Sequence, residues 1–130
     1  MIAVDTNVVV RLLVADDTAE ARRTRALFEH NTIWIATTVI LETEWVLRGA
    51  YKFSADEIQG ALNKLLGLPH VTLGDQALIV QALDRYKQGL DFADALHLAA
   101  ASQAEGFATF DRALRRSAGT VTTTPPVLSP

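Results

Sequence analysis

The chain has 130 residues, 49% of them hydrophobic and 21% charged, with a net charge of −3 and no cysteine. That length holds one domain with a real core, and the apolar content excludes a disordered chain. The lack of cysteine excludes disulfides and thiolate metal sites, and the acidic balance excludes a general attraction to nucleic acid.

Strand and helix signals alternate along the chain. The run Ile2-Ala3-Val4 reads as a short buried strand, and the apolar residues 8–14 as a helix. Asp17-Thr18-Ala19-Glu20 has capping-box form, with Asp17 as the cap of a basic helix that runs through Leu27 and Phe28. Residues 32–36 are rich in β-formers and predict a second strand. Thr37 or Thr38 then caps a helix carrying Val39, Ile40, Trp45, Val46 and Leu47. Ser54-Ala55-Asp56-Glu57 is a second capping box, and its helix ends at Gly67 before Pro69. Residues 71–73 predict a third strand. Asp75 caps a helix that runs to Gly89, and Asp91 caps an Ala-rich helix that stops near Gly106. Residues 107–110 predict a fourth strand, 112–116 a short helix and 120–123 an edge strand. The last six residues, 125–130, read as an extended, loosely held tail, which leaves a single domain over residues 1–124. The alternation predicts an α/β fold, a three-layer α/β/α sandwich around a central parallel sheet of four to five strands. No apolar run reaches membrane-spanning length and no basic signal-peptide start is read, so the expectation is a cytoplasmic protein with no membrane partner.

Four acidic residues recur at equivalent places in this pattern. Asp5 follows the first strand, Glu42 lies just inside the helix after the second, Asp94 lies in the first turn of the Ala-rich helix, and Asp111 follows the fourth strand. Strands that run parallel end on one edge of their sheet, where α/β folds place their sites. At roughly 5 Å and an effective dielectric of about 20, each ionised pair of carboxylates costs about 3 kcal/mol. A hard divalent cation with oxygen ligands offsets that cost. Carboxylates without His or Cys suit Mg²⁺ or Mn²⁺ and suit zinc poorly. Such an ion polarises a phosphoryl oxygen, activates water and neutralises the leaving oxygen, the three actions that phosphodiester hydrolysis needs.

The same residues carry a family resemblance. Asp5-Thr6-Asn7-Val8 after the first strand, Glu42 ahead of Trp45-Val46-Leu47, Asp91-Phe92-Ala93-Asp94-Ala95, and Thr109-Phe110-Asp111 together resemble a PIN-domain ribonuclease, most of all the VapC-type toxins of toxin–antitoxin pairs. The resemblance runs from Ile2 to about Thr122. It implies that Asp5, Glu42, Asp94 and Asp111 are the catalytic and metal-binding acids of a Mg²⁺- or Mn²⁺-dependent endoribonuclease. It also implies that Thr6, Asn7, Asp91 and Thr109 support them, that RNA is the substrate, and that a cognate antitoxin and a homodimer are the protein partners. The alternatives are a non-catalytic PIN-like RNA-binding module and a non-toxin metal-dependent phosphodiesterase. A haloacid-dehalogenase-type phosphotransferase needs a second Asp where Asn7 stands, and a receiver domain needs an early acidic pair that this chain lacks.

Each acid also has a plainer reading, since an Asp after a strand is often a helix cap. Asp91 reads first as a cap. Glu44, two residues from Glu42, points elsewhere on its helix and is read as non-catalytic. His97 reads as a satisfied histidine at a helix or subunit contact, and Trp34 and Trp45 as core. Positive charge for RNA is expected from Arg112, Arg115 and Arg116, directly after Asp111, and from Arg11 beyond Asp5; Arg22, Arg23 and Arg25 form a further basic cluster.

Overall fold

Three short parallel strands organise the first part of the chain: β1 (Ile2–Ala3), β2 (Ile33–Ile35) and β3 (Val71–Leu73), in the order β1-β2-β3. Ile2 pairs with Ile33, and Ile33 with Val71. Parallel neighbours cannot be joined by a tight turn, so each connection is a helical crossover. Helices α1 (Thr6–Leu13) and α2 (Ala19–His30) join β1 to β2, and α3 (Thr37–Gly49) and α4 (Ala55–Leu66) join β2 to β3. The computed structural model describes residues 1–120 and 125–130. Its contacts divide the chain into two compact units, Met1–Gln76 and Ala77–Pro130.

In the first unit, β2 carries the burial. Ile33 and Ile35 are fully buried, together with Val9 of α1, Leu47 of α3, and Ile58 and Leu65 of α4. α1 packs on both α2 and α3, which brings the start of the first crossover beside the start of the second. The Ser54 capping box forms as read: Glu57 N–H donates to Ser54 Oγ at 3.1 Å, and Ser54 N–H donates to Glu57 Oε1 at 2.9 Å. Two other caps differ from expectation. Thr18, not Asp17, caps α2, accepting from Ala21 N–H at 3.0 Å, while Asp17 takes the Arg22 guanidinium at 3.0 Å. Ala36 stands at the cap of α3 without a side-chain bond, because Thr37 is already helical.

The second unit comprises α5 (Gln76–Lys87), which begins at the boundary, α6 (Phe92–Ala100), β4 (Phe107–Ala108), α7 (Arg112–Thr120) and β5 (Val127–Leu128). α5 and α6 are joined through Gly89, whose φ of +107° favours glycine. Phe92 lies fully buried with Tyr86 edge-on to it at 5.2 Å. β4 and β5 pair in parallel as a separate two-stranded sheet, so the described residues form sheets of three and two strands, where the sequence reading expects one sheet of four to five. β5 lies in the segment read as a loose tail. Its Leu128 side chain lies against Gly106, where any Cβ would come within 2.5 Å of it. The edge strand read over residues 120–123 is not seen at Thr120, which ends α7; residues 121–123 lie outside the described residues. No helix among the described residues is long and apolar enough to cross a membrane.

Candidate active site

In the first unit the site grows from the turn after β1. Asp5 caps α1 in extended conformation, and its Oδ1 accepts from Thr6 N–H at 2.7 Å. Thr6 is therefore placed at the first turn of α1, buried at 6% exposure, and its hydroxyl donates to Glu42 Oε1 on α3. The two acids of this unit are thus tied to one threonine, Asp5 through its backbone N–H and Glu42 through its side chain. Asp5, Thr6, Asn7, Arg11 and Glu42 line one recess of ≈ 290 Å³, with Val10, Val46 and Tyr51 as its apolar and aromatic wall. Of the four residues read as supporting the acids, two lie in this unit: Thr6 makes the hydrogen bond and Asn7 lines the recess. Tyr51 belongs to this wall and carried no motif in the sequence.

Arg11 faces the same recess, but its guanidinium is engaged. It reaches Asp16 at 3.0 Å and Glu20 at 3.5 Å, and the Asp16 hydrogen bond holds its pKa above the ordinary arginine value. Glu44 is nearly fully buried at 2% exposure and is bridged by Arg48 on the next turn at 2.9 Å. That burial explains why α3 turns Glu42, and not Glu44, toward the recess. Trp45, read as core, is mostly exposed.

In the second unit three carboxylates gather around the first turn of α6. Asp91 caps the helix, accepting from Asp94 N–H at 3.2 Å. Asp94 is half-buried. Burial pushes its pKa up, repulsion from Asp91 and Asp111 pushes it further, and His97 partly opposes them. His97 is exposed in this chain and near enough to Asp94 for its charge to be felt. Asp111 is fixed from both sides. Its N–H donates to Thr109 Oγ1 at 3.0 Å, and its Oδ1 accepts from Leu114 N–H at 3.0 Å, the cap bond of α7. Thr109 thus supports Asp111 through the main chain.

Asp5, Asp91 and Asp111 all act as helix caps, as the plainer reading has it. Each cap uses one carboxylate oxygen, and the other has no hydrogen-bond partner among the described residues. The arginines after Asp111 divide. Arg112 and Arg116 are exposed, whereas Arg115 donates through Nη1 to Thr109 O at 2.8 Å and buttresses the loop.

The donor chemistry fits a hard cation: every candidate ligand is a carboxylate oxygen, and a bound cation reverses the repulsion that Asp94 feels. Within either unit, among the described residues, no three His, Cys, Asp or Glu side chains are spaced to enclose a metal ion. The PIN domain family model matches residues 2–119, which span all four acids. No curated protein matches the chain.

Proposed function

Because the chain belongs to the PIN-domain family, whose members are typically metal-dependent nucleases, we propose that it is a divalent-metal-dependent endoribonuclease that hydrolyses RNA phosphodiester bonds. The observation that carries the reading is the half-buried Asp94 in the first turn of α6, close enough to Asp91 and Asp111 that, after burial itself, their repulsion raises its pKa further. A fold that needed only helix caps has no reason to gather a third, half-buried carboxylate there. Asp5, Glu42, Asp94 and Asp111 are the proposed ligands of Mg²⁺ or Mn²⁺. When bound, the ion polarises the phosphoryl group and lowers the pKa of a water molecule. The protein's own part is positioning. Thr6 fixes the Glu42 carboxylate, Asp91 holds the first turn of α6, and Thr109 with Arg115 holds Asp111.

The finer reading is a cytoplasmic toxin restrained by a small antitoxin and acting as a homodimer. The family resemblance supports it. For the antitoxin, a recess of ≈ 570 Å³ lined by Leu12, Leu13, Phe53, Leu65 and Leu68, among others, offers an apolar surface of the kind that takes an amphipathic segment.

The test is cleavage of RNA by the pure protein. Mg²⁺ or Mn²⁺ is expected to support it and EDTA to stop it. Asp5→Asn and Asp94→Asn are expected to abolish it with circular dichroism unchanged. Full activity in EDTA, or in both variants, overturns the nuclease reading. Expression that leaves growth unimpaired while the protein is soluble and active overturns the toxin reading alone.

A further inference from the structure

Phe110 is 84% exposed, more than any other large hydrophobic residue described, including the terminal Met1 at 79%. It stands between Thr109 and Asp111, on the connection from β4 to α7. A slack loop does not account for this exposure, because the main chain is pinned on both sides of the ring. Thr109 N–H donates to Leu128 O at 2.9 Å, and Thr109 O accepts from Arg115 Nη1 at 2.8 Å. On the other side, Asp111 N–H is held by Thr109 Oγ1, and Asp111 Oδ1 caps α7. The local fold therefore holds an aromatic ring out in water, one residue from a proposed metal ligand. The next residue along is Arg112, which is exposed, and Arg116 on the same helix is exposed as well.

We propose that Phe110 is a stacking platform for an unpaired base beside the scissile phosphate. The inference rests on the nuclease reading above. An aromatic face stacks on any base whose own face is free, whatever its sequence. A base inside a duplex is already stacked on both sides and offers no face. Stacking also answers an electrostatic problem of this site. Its carboxylates repel a polyanion and the chain carries a net charge of −3, so affinity that does not depend on charge is valuable here. The neighbours of Phe110 in the chain are polar or charged, Thr109, Asp111 and Arg112, which suits a nucleotide better than an apolar protein face.

The experiment measures binding of fluorescein-labelled single-stranded RNA, and of a matched duplex, by anisotropy. The full-length protein carries Asp94→Asn so that RNA survives the measurement, and cleavage is followed in parallel without that change. Phe110→Ala is expected to weaken single-strand binding about 5- to 150-fold, leaving duplex binding unchanged. Phe110→Trp is expected to restore it and Phe110→Leu to behave like Ala, because Leu is apolar but has no ring to stack. Binding by Phe110→Ala equal to that of the parent overturns the inference, as does rescue by Leu as complete as by Trp. A fall in sedimenting mass for Phe110→Ala with RNA binding intact also overturns it and assigns the ring to a second copy of the chain. If the protein with native Phe110 cleaves RNA and Phe110→Ala cleaves equally, the platform alone fails. If the native protein neither binds nor cleaves either RNA, the nuclease reading fails with it.

Discussion

The Thr6 hydroxyl donates to Glu42 across 36 residues of sequence, tying the first turn of α1 to the middle of α3. Asp5, one residue earlier, accepts from the N–H of the same Thr6. The position of one carboxylate is therefore linked to the rotamer of the other. Thr6→Val keeps the shape of the buried side chain and removes the donor. In a double-mutant cycle with Glu42→Ala, thermal or denaturant unfolding is expected to show a coupling of about 0.5–1.5 kcal/mol. Thr6→Ser, which keeps the hydroxyl, is expected to retain most RNA cleavage where Thr6→Val loses it. Zero coupling sinks the proposed tie.

The Ser54 capping box gives a second, independent prediction. Ser54→Ala is expected to cost about 1 kcal/mol of stability. Glu57 is held below the ordinary glutamate value by its backbone and side-chain bonds to Ser54. A carboxylate with a lowered folded pKa binds fewer protons folded than unfolded, so it adds stability above its unfolded value of 4.5 and loses it as pH falls through the folded value. The melting-temperature advantage of the wild type over Glu57→Gln is expected at neutral pH and should be lost in acid, as pH falls through the folded value. An advantage that persists in acid rules out the charge as its source.

That capping box was legible because both of its bonds are local, and residues three apart decide it. Other features were legible only in part, for stated reasons. Asp17 and Thr18 are both competent caps, and the choice turned on which side chain meets Ala21 N–H and which meets Arg22. Helical spacing puts Glu44 on another side of α3 from Glu42, but that Glu44 is the buried one, bridged by Arg48, depends on what packs on each side of the helix. The Thr6–Glu42 bond joins residues too far apart for any spacing rule. β5 is two residues long, too short for a periodic signal, and its place depends on the absence of a Cβ at Gly106. Asp5, Asp94 and Asp111 were easy to pick out because each sits at a punctuation point, just after a strand or in a first helical turn, whereas Glu42 lies in the middle of α3.

The arginines after Asp111 are expected to separate by role. Arg112 and Arg116 are exposed, so replacing both by Ala should flatten the dependence of log affinity for single-stranded RNA on log salt by about 1.4, at roughly 0.7 per phosphate contact. Arg115 is committed to Thr109 O, so Arg115→Ala should lower the melting temperature and change the salt slope little. A slope changed by Arg115→Ala and not by the double variant reverses this assignment.

The last prediction concerns the cost of holding Asp94 where it is. Its folded pKa is raised by burial first and by Asp91 and Asp111 next. A carboxylate raised in this way binds more protons folded than unfolded. It therefore leaves stability untouched below the unfolded value of 3.8, and subtracts from it as pH rises past that value and through the folded one. Asp94→Asn removes the charge that is repelled. In EDTA at pH 7 it is expected to raise the melting temperature, and the gain should disappear below about pH 3.5. A cation reverses the sign, because it binds the folded wild type and stabilises it. Mn²⁺ at about a hundred times its dissociation constant should stabilise the wild type by roughly 2.7 kcal/mol, and the Asn variant by less. The measurement is a melting series for both proteins in EDTA and in Mn²⁺, at acid and neutral pH. A lower melting temperature for Asp94→Asn in EDTA, with an equal Mn²⁺ shift in both proteins, makes Asp94 a structural residue of the α6 first turn and removes it from the metal site.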